Sequence, residues 1–120
     1  MKAILVIGHG SRSEQARAEF DVVVNMMARK TDMPVTGAHM ELHTPSIPEA
    51  LEMMINERPD IKEIKAVPLF LFEGIHIRED IPEILDEMRE KYPQVEFKFA
   101  RPIGAEEMLA DILLKRAGEI

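Results

Sequence analysis

Apolar residues fall along this chain in two patterns. Some form short unbroken runs, at residues 3–7 and again at 67–72. Runs of that length without alternation read as strands covered on both faces. Elsewhere apolar residues recur every three or four positions, the period of one helix face. Ala16, Phe20, Val23, Val24 and Met27 make one such stripe; Ile47, Leu51, Met54 and Ile55 make a second. Ile81, Ile84, Leu85 and Met88 make a third, and Met108, Leu109, Ile112 and Leu113 a fourth, all expected to face inward. Two weaker strands complete the pattern. Residues 35–42 are interrupted by Gly37 and His39 and read as an edge strand, and residues 95–100 alternate loosely. Residues 2–7 and 63–70 are the most apolar strands and belong in the centre.

Polar punctuation agrees with this division. Ser11 with Glu14, Ser46 with Glu49, and Asp80 with Glu83 have capping-box spacing, and Pro48 and Pro82 fall in first turns. Pro34, the Arg58-Pro59-Asp60 segment and Tyr92-Pro93 end helices, and Gly118 suits a C-cap. Strand and helix alternate four times. The expected fold is a single α/β domain over residues 1–120, three-layered, with helices on both faces of a four-stranded parallel sheet of order 2-1-3-4 and right-handed crossovers. In that order the chain reverses direction between strands one and three, where ligands bind outside the carboxyl ends of strands.

Composition narrows the chemistry. With 120 residues, 46% hydrophobic and 31% charged, the chain has the balance of one globular domain. There is no cysteine, which excludes disulfides and thiolate metal sites and leaves His and carboxylate as metal ligands. The net charge of −7 argues against nucleic acid as a partner. The first apolar run is too short for a signal peptide or a membrane span, so a cytoplasmic protein is expected. No P-loop is present, and no nucleotide or organic cofactor is implied.

Two histidines stand at the switch point. His9 follows the first strand between Gly8 and Gly10; His76 follows the third strand, in a loop after Gly74. Topology brings them together, and two neutral imidazoles ligate Co²⁺, Ni²⁺, Fe²⁺ or Zn²⁺ with positions left open. His43 follows the second strand on the same face, as a third ligand, a substrate contact or a loop residue without a role. His39 lies within a strand and reads as structural, and the methionines of the helices read as packing. Arg12, Arg78 and Arg101 fall at the same end of the sheet, where guanidinium groups suit carboxylates or phosphates.

Taken together, these segments resemble the small class II tetrapyrrole chelatases that act on sirohydrochlorin. The resemblance rests on Gly8-His9-Gly10-Ser11-Arg12 and on residues 45–51. It continues through residues 68–72, Gly74, His76 and Asp80-Ile81-Pro82 to residues 101–104 and the last helix. It implies a chelatase fold, insertion of Co²⁺ or Ni²⁺ into sirohydrochlorin, and His9 and His76 as metal ligands, with His9 also the proton acceptor. It further implies that Phe70, Leu71, Phe72, Glu73, Gly74 and Ile75 lie against the macrocycle, whose carboxylates would meet Arg12, Arg78 and Arg101. A homodimer is expected, because one small sheet offers a shallow face to a broad ligand and longer relatives hold two such halves. Two other readings use the same residues. In one, His9 is the phosphorylated nucleophile of a phosphohistidine-type phosphatase or mutase, although Gly8 stands where those enzymes carry arginine. In the other, the histidines serve a non-catalytic metal carrier.

Overall fold

A computed structural model describes residues 1–120. Four strands, β1 (Lys2–Gly8), β2 (Val35–His39), β3 (Glu63–Pro68) and β4 (Glu96–Phe99), alternate with helices α1 (Glu14–Lys30), α2 (Ile47–Glu57), α3 (Ile81–Lys91) and α4 (Glu107–Gly118). All pairings are parallel, and the strand order is β2-β1-β3-β4, as the apolar runs predict.

Side chains of β1 divide between two cores. Ala3, Leu5 and Ile7 join α2 and α3 in a large cluster with Leu51, Met54, Ile64, Ile81 and Leu85. Fully burying a leucine such as Leu51 contributes about 1.5–3 kcal/mol. Val6 turns to the opposite face and meets Phe20 and Val24 of α1 in a small cluster. The Phe20 ring explains Gly37: a Cβ there would lie 2.9 Å from the ring edge, so the glycine is the space the ring occupies. The α2 cap forms as its spacing predicts. Ser46 Oγ accepts from the Glu49 N–H, and the Glu49 carboxylate takes the Ser46 N–H.

Three sequence expectations are corrected. α1 is capped by Ser13, whose hydroxyl accepts the Ala16 N–H at 3.2 Å, while Ser11 accepts the Ser13 N–H. The cap therefore sits two residues later than the Ser11–Glu14 spacing suggests. Asp80 does not cap α3 either; it already has helical backbone, because a π-helical turn at His76–Asp80 runs straight into that helix.

The third correction is α4, no residue of which is buried. Met108 is 78% exposed, Leu113 67% and Leu114 72%. One face of the sheet offers α4 no apolar seat. On the α1 side, β3 and β4 present Glu63, Lys65, Glu96 and Lys98 in register. Lys98 Nζ lies 3.1 Å from Glu63, with Lys65 at 3.8 Å. The Lys98 ammonium holds the Glu63 carboxyl below the usual range. An apolar stripe docked there would strip water from these charges.

Candidate functional site

The carboxyl end of β1 is held on both sides. The Met40 N–H donates to the Gly8 carbonyl and the Leu69 N–H to the Ile7 carbonyl, each at 2.8 Å. The chain then leaves the sheet through His9 and Gly10. Gly10 has φ +87°, and a Cβ there would sit 1.7 Å from the Glu41 carbonyl oxygen, so only glycine lets the β1 exit pass the β2 exit.

His9 is exposed but not loosely placed. Its ring lies flat on Phe70, with centroids 4.0 Å apart and planes 6° apart. Phe70 is itself 7% exposed, so the imidazole stands on a fixed base. That base is pinned from a third segment: the Ile103 N–H donates to the Phe70 carbonyl at 2.9 Å and the Gly104 N–H to the Leu71 carbonyl at 2.6 Å. Leu71, Phe72 and Ile75 are exposed beyond it, an apolar surface next to the imidazole.

His76 opens the π-helical turn rather than sitting in a loop, and its Nδ1 donates to Asp80 Oδ2 at 2.5 Å. The Ile81 N–H reaches the His76 carbonyl across the widened turn. A carboxylate on Nδ1 fixes the ring's orientation and tautomer and leaves the Nε2 lone pair free, the arrangement common among metal-binding histidines. π-helical turns occur often at functional sites.

His9 and His76 meet edge to face, with centroids 5.5 Å apart at 76°. A metal about 2.1 Å from each ring nitrogen, at a tetrahedral angle, would separate the centroids by roughly 5.2 Å. The pair thus has the spacing to share one ion. No third His, Asp or Glu joins them, so other coordination positions remain open. Both rings line a cavity of about 490 Å³ together with Phe70, Phe72, Glu73 and Gly74.

The sequence matches the CbiX family over residues 3–120. The chain belongs to the CbiX family. Among CbiX-like relatives, a sirohydrochlorin cobaltochelatase of Methanosarcina barkeri is 36% identical, over 97% of this chain and 94% of its own. A sirohydrochlorin ferrochelatase of Priestia megaterium is 32% identical over 99% of this chain, which spans only 44% of that relative's length. The crystal structure of the sirohydrochlorin chelatase SirB of Bacillus subtilis subspecies spizizenii, in complex with cobalt, superposes with a TM-score of 0.92 at 29% identity. It covers 99% of this chain and 50% of that one.

The remaining sequence candidates lie elsewhere. His43 gives its Nε2 to the Ser11 carbonyl and lines a separate cavity with His39. Arg12, Arg78 and Arg101 are exposed, and none lines a cavity containing His9; Arg101 lies 3.8 Å from Glu106. Two residues escaped the sequence reading. The sequence reading places Asp80 in a cap, although its four-residue spacing from His76 is plain in the sequence. Arg17 lines the cavity of about 360 Å³ on the other side of His9.

Proposed function

We propose that this protein inserts Co²⁺ or Ni²⁺ into sirohydrochlorin. The observation that carries the reading is the His9–His76 pair, spaced for one metal ion, with no third side-chain ligand and an apolar loop beside it. In this reading the ion arrives on the two imidazoles with water in its other positions. The macrocycle lies against Leu71, Phe72 and Ile75, with Glu73 and Gly74 at its edge. As pyrrole nitrogens replace protein ligands on the ion, their N–H protons must leave. His9, released from the metal, accepts one and passes it to water, then takes the second. His76 keeps its orientation through Asp80 and holds the ion until transfer. Arg12, Arg78 and Arg101 are proposed as outer contacts for the macrocycle's carboxylates, and His43 as a further contact at the margin.

The working unit is proposed to be a homodimer in the cytoplasm. No helix is long and apolar enough to cross a membrane. The exposed Met108, Ile112, Leu113 and Leu114 of α4 supply a face for a second copy. The twofold length of the SirB chain supports the same idea, since half of it superposes on this whole unit. Light scattering should give twice the 13.7 kDa chain mass, and Ile112→Glu with Leu113→Glu should give a folded monomer. A wild-type monomer with full activity would refute the dimer.

The deciding test offers sirohydrochlorin with Co²⁺ and Ni²⁺, singly and in competition, and follows the macrocycle's absorbance. Insertion is expected with both ions alone, and competition ranks them. Metal binding without macrocycle binding would turn the reading to a carrier.

A further inference from the structure

Arg17 closes the first turn of α1 and lines a cavity with His9 that His76 does not line. It lines two adjoining cavities. One holds Gly8, His9, Gly10 and Ser11; the other holds Asp21, Asn25 and His43; Phe20 and His39 line both. Its Nε is buried and has no hydrogen-bond partner. The guanidinium also makes no ion pair, although Glu19 lines the first cavity and Asp21, one turn along the same helix, lines the second. A buried donor left without an acceptor is costly and uncommon. It is more notable where 22 carboxylate side chains face 15 basic ones. A guanidinium is also the side chain best shaped to take a carboxylate through two parallel N–H bonds.

Resting on the chelatase reading, we propose that Arg17 binds a peripheral carboxylate of the tetrapyrrole. The first cavity and the His9–His76 cavity share His9 and Leu69, so they adjoin across the imidazole. A macrocycle lying over His9 and the Phe72 loop extends one edge toward Arg17. A carboxylate seated there fixes the rotation of the ring, and with it which pyrrole nitrogens lie nearest His9. Each cavity holds one carboxylate, Glu19 in the first and Asp21 in the second; what favours the first is that it adjoins His9.

The experiment compares wild type, Arg17→Gln and Arg17→Lys, with the free-acid macrocycle and with one esterified at its carboxylates. Arg17→Gln should raise KM for the acid roughly tenfold and change kcat by no more than about twofold. Arg17→Lys should recover part of the loss, because it restores charge but not the two-pronged geometry. With the ester, wild type and Arg17→Gln should have the same KM. Co²⁺ binding without macrocycle, followed by titration calorimetry, should match wild type in both variants, which separates macrocycle contact from damage to the metal site. An equal KM for wild type and Arg17→Gln with the acid overturns the proposal, as does an equal loss with acid and ester. A wild type that inserts no metal overturns the chelatase reading and this inference with it. An active wild type with an indifferent Arg17 overturns this inference alone.

Discussion

Two histidine pairs occupy the carboxyl end of the sheet with almost the same internal geometry. His9 and His76 lie 5.5 Å apart at 76°; His39 and His43 lie 5.7 Å apart at 78°. What surrounds them differs. His39 is 9% exposed at the end of β2, beside the Phe20 ring, and its pKa is lowered, first by burial and then by His43. His43 commits its Nε2 to the Ser11 carbonyl. That pair packs and ties the β2 exit to the β1 exit. The other pair keeps one ring exposed on an aromatic base and the other oriented by a carboxylate. Proximity of imidazoles is therefore a poor sign of a metal site by itself; the partners of the remaining nitrogens decide it.

The largest effect should come from exchanging the pairs as targets. A His9→Ala, His76→Ala double variant should lose metal insertion by at least about a hundredfold and keep its fold, since His9 is exposed and His76 only partly buried. His39→Ala should do the reverse. It should lower stability by about 1–3 kcal/mol, as expected for a buried, packed side chain, and leave insertion per folded molecule within a few-fold. Initial insertion rates with circular dichroism and urea unfolding read both. Near-normal insertion by the folded double variant would erase the distinction between the pairs.

A smaller effect should follow Asp80→Asn. The side chain bonds His76 and caps nothing, so its change should spare α3. An amide can hold the imidazole but places no negative charge behind it. Co²⁺ affinity should fall about 10–100-fold, the usual range for such outer partners, with little change in unfolding midpoint. Titration calorimetry with Co²⁺ is the measurement, and unchanged affinity would mean that Asp80 does not tune the site.

The same contrast shows where sequence is legible. Strand order and the meeting of His9 with His76 followed from apolar runs and one topological rule, because a parallel sheet leaves few arrangements. The Ser46–Glu49 cap was legible because nothing nearby competes for either side chain. Asp80 and Glu83 have the same spacing, yet His76 claims Asp80, and the π-helical turn removes the helix start the cap would have served. The α4 stripe misled for a different reason: periodicity reports that a helix has an apolar face, not that the sheet opposite is apolar. Lys65 and Lys98 around Glu63 decide that, through pairing across β3 and β4 that no local window contains. Arg17 was hidden among the inward positions of α1, where its lack of a partner is visible only in three dimensions.

The smallest effect concerns the buried pair and acid. Burial lowers the His39 pKa from 6.5, with His43 and Arg17 lowering it further and Asp21 opposing them. Between the lowered folded value and the ordinary unfolded one, the unfolded chain binds more protons than the folded chain. Stability therefore rises with pH across that window. Above it both states are neutral at this residue and His39 adds no slope; as pH falls below 6.5 its contribution is lost, until the folded state also takes the proton. Replacing His39 with Gln keeps a polar side chain but removes the titration. Urea unfolding at closely spaced pH values below 7 should then show a shallower acid loss for His39→Gln than for wild type, while the two curves run parallel above pH 7. Identical slopes below pH 7 would mean that His39 is as solvated in the folded protein as in the unfolded chain, and the contrast with His9 and His76 would rest on hydrogen bonding alone.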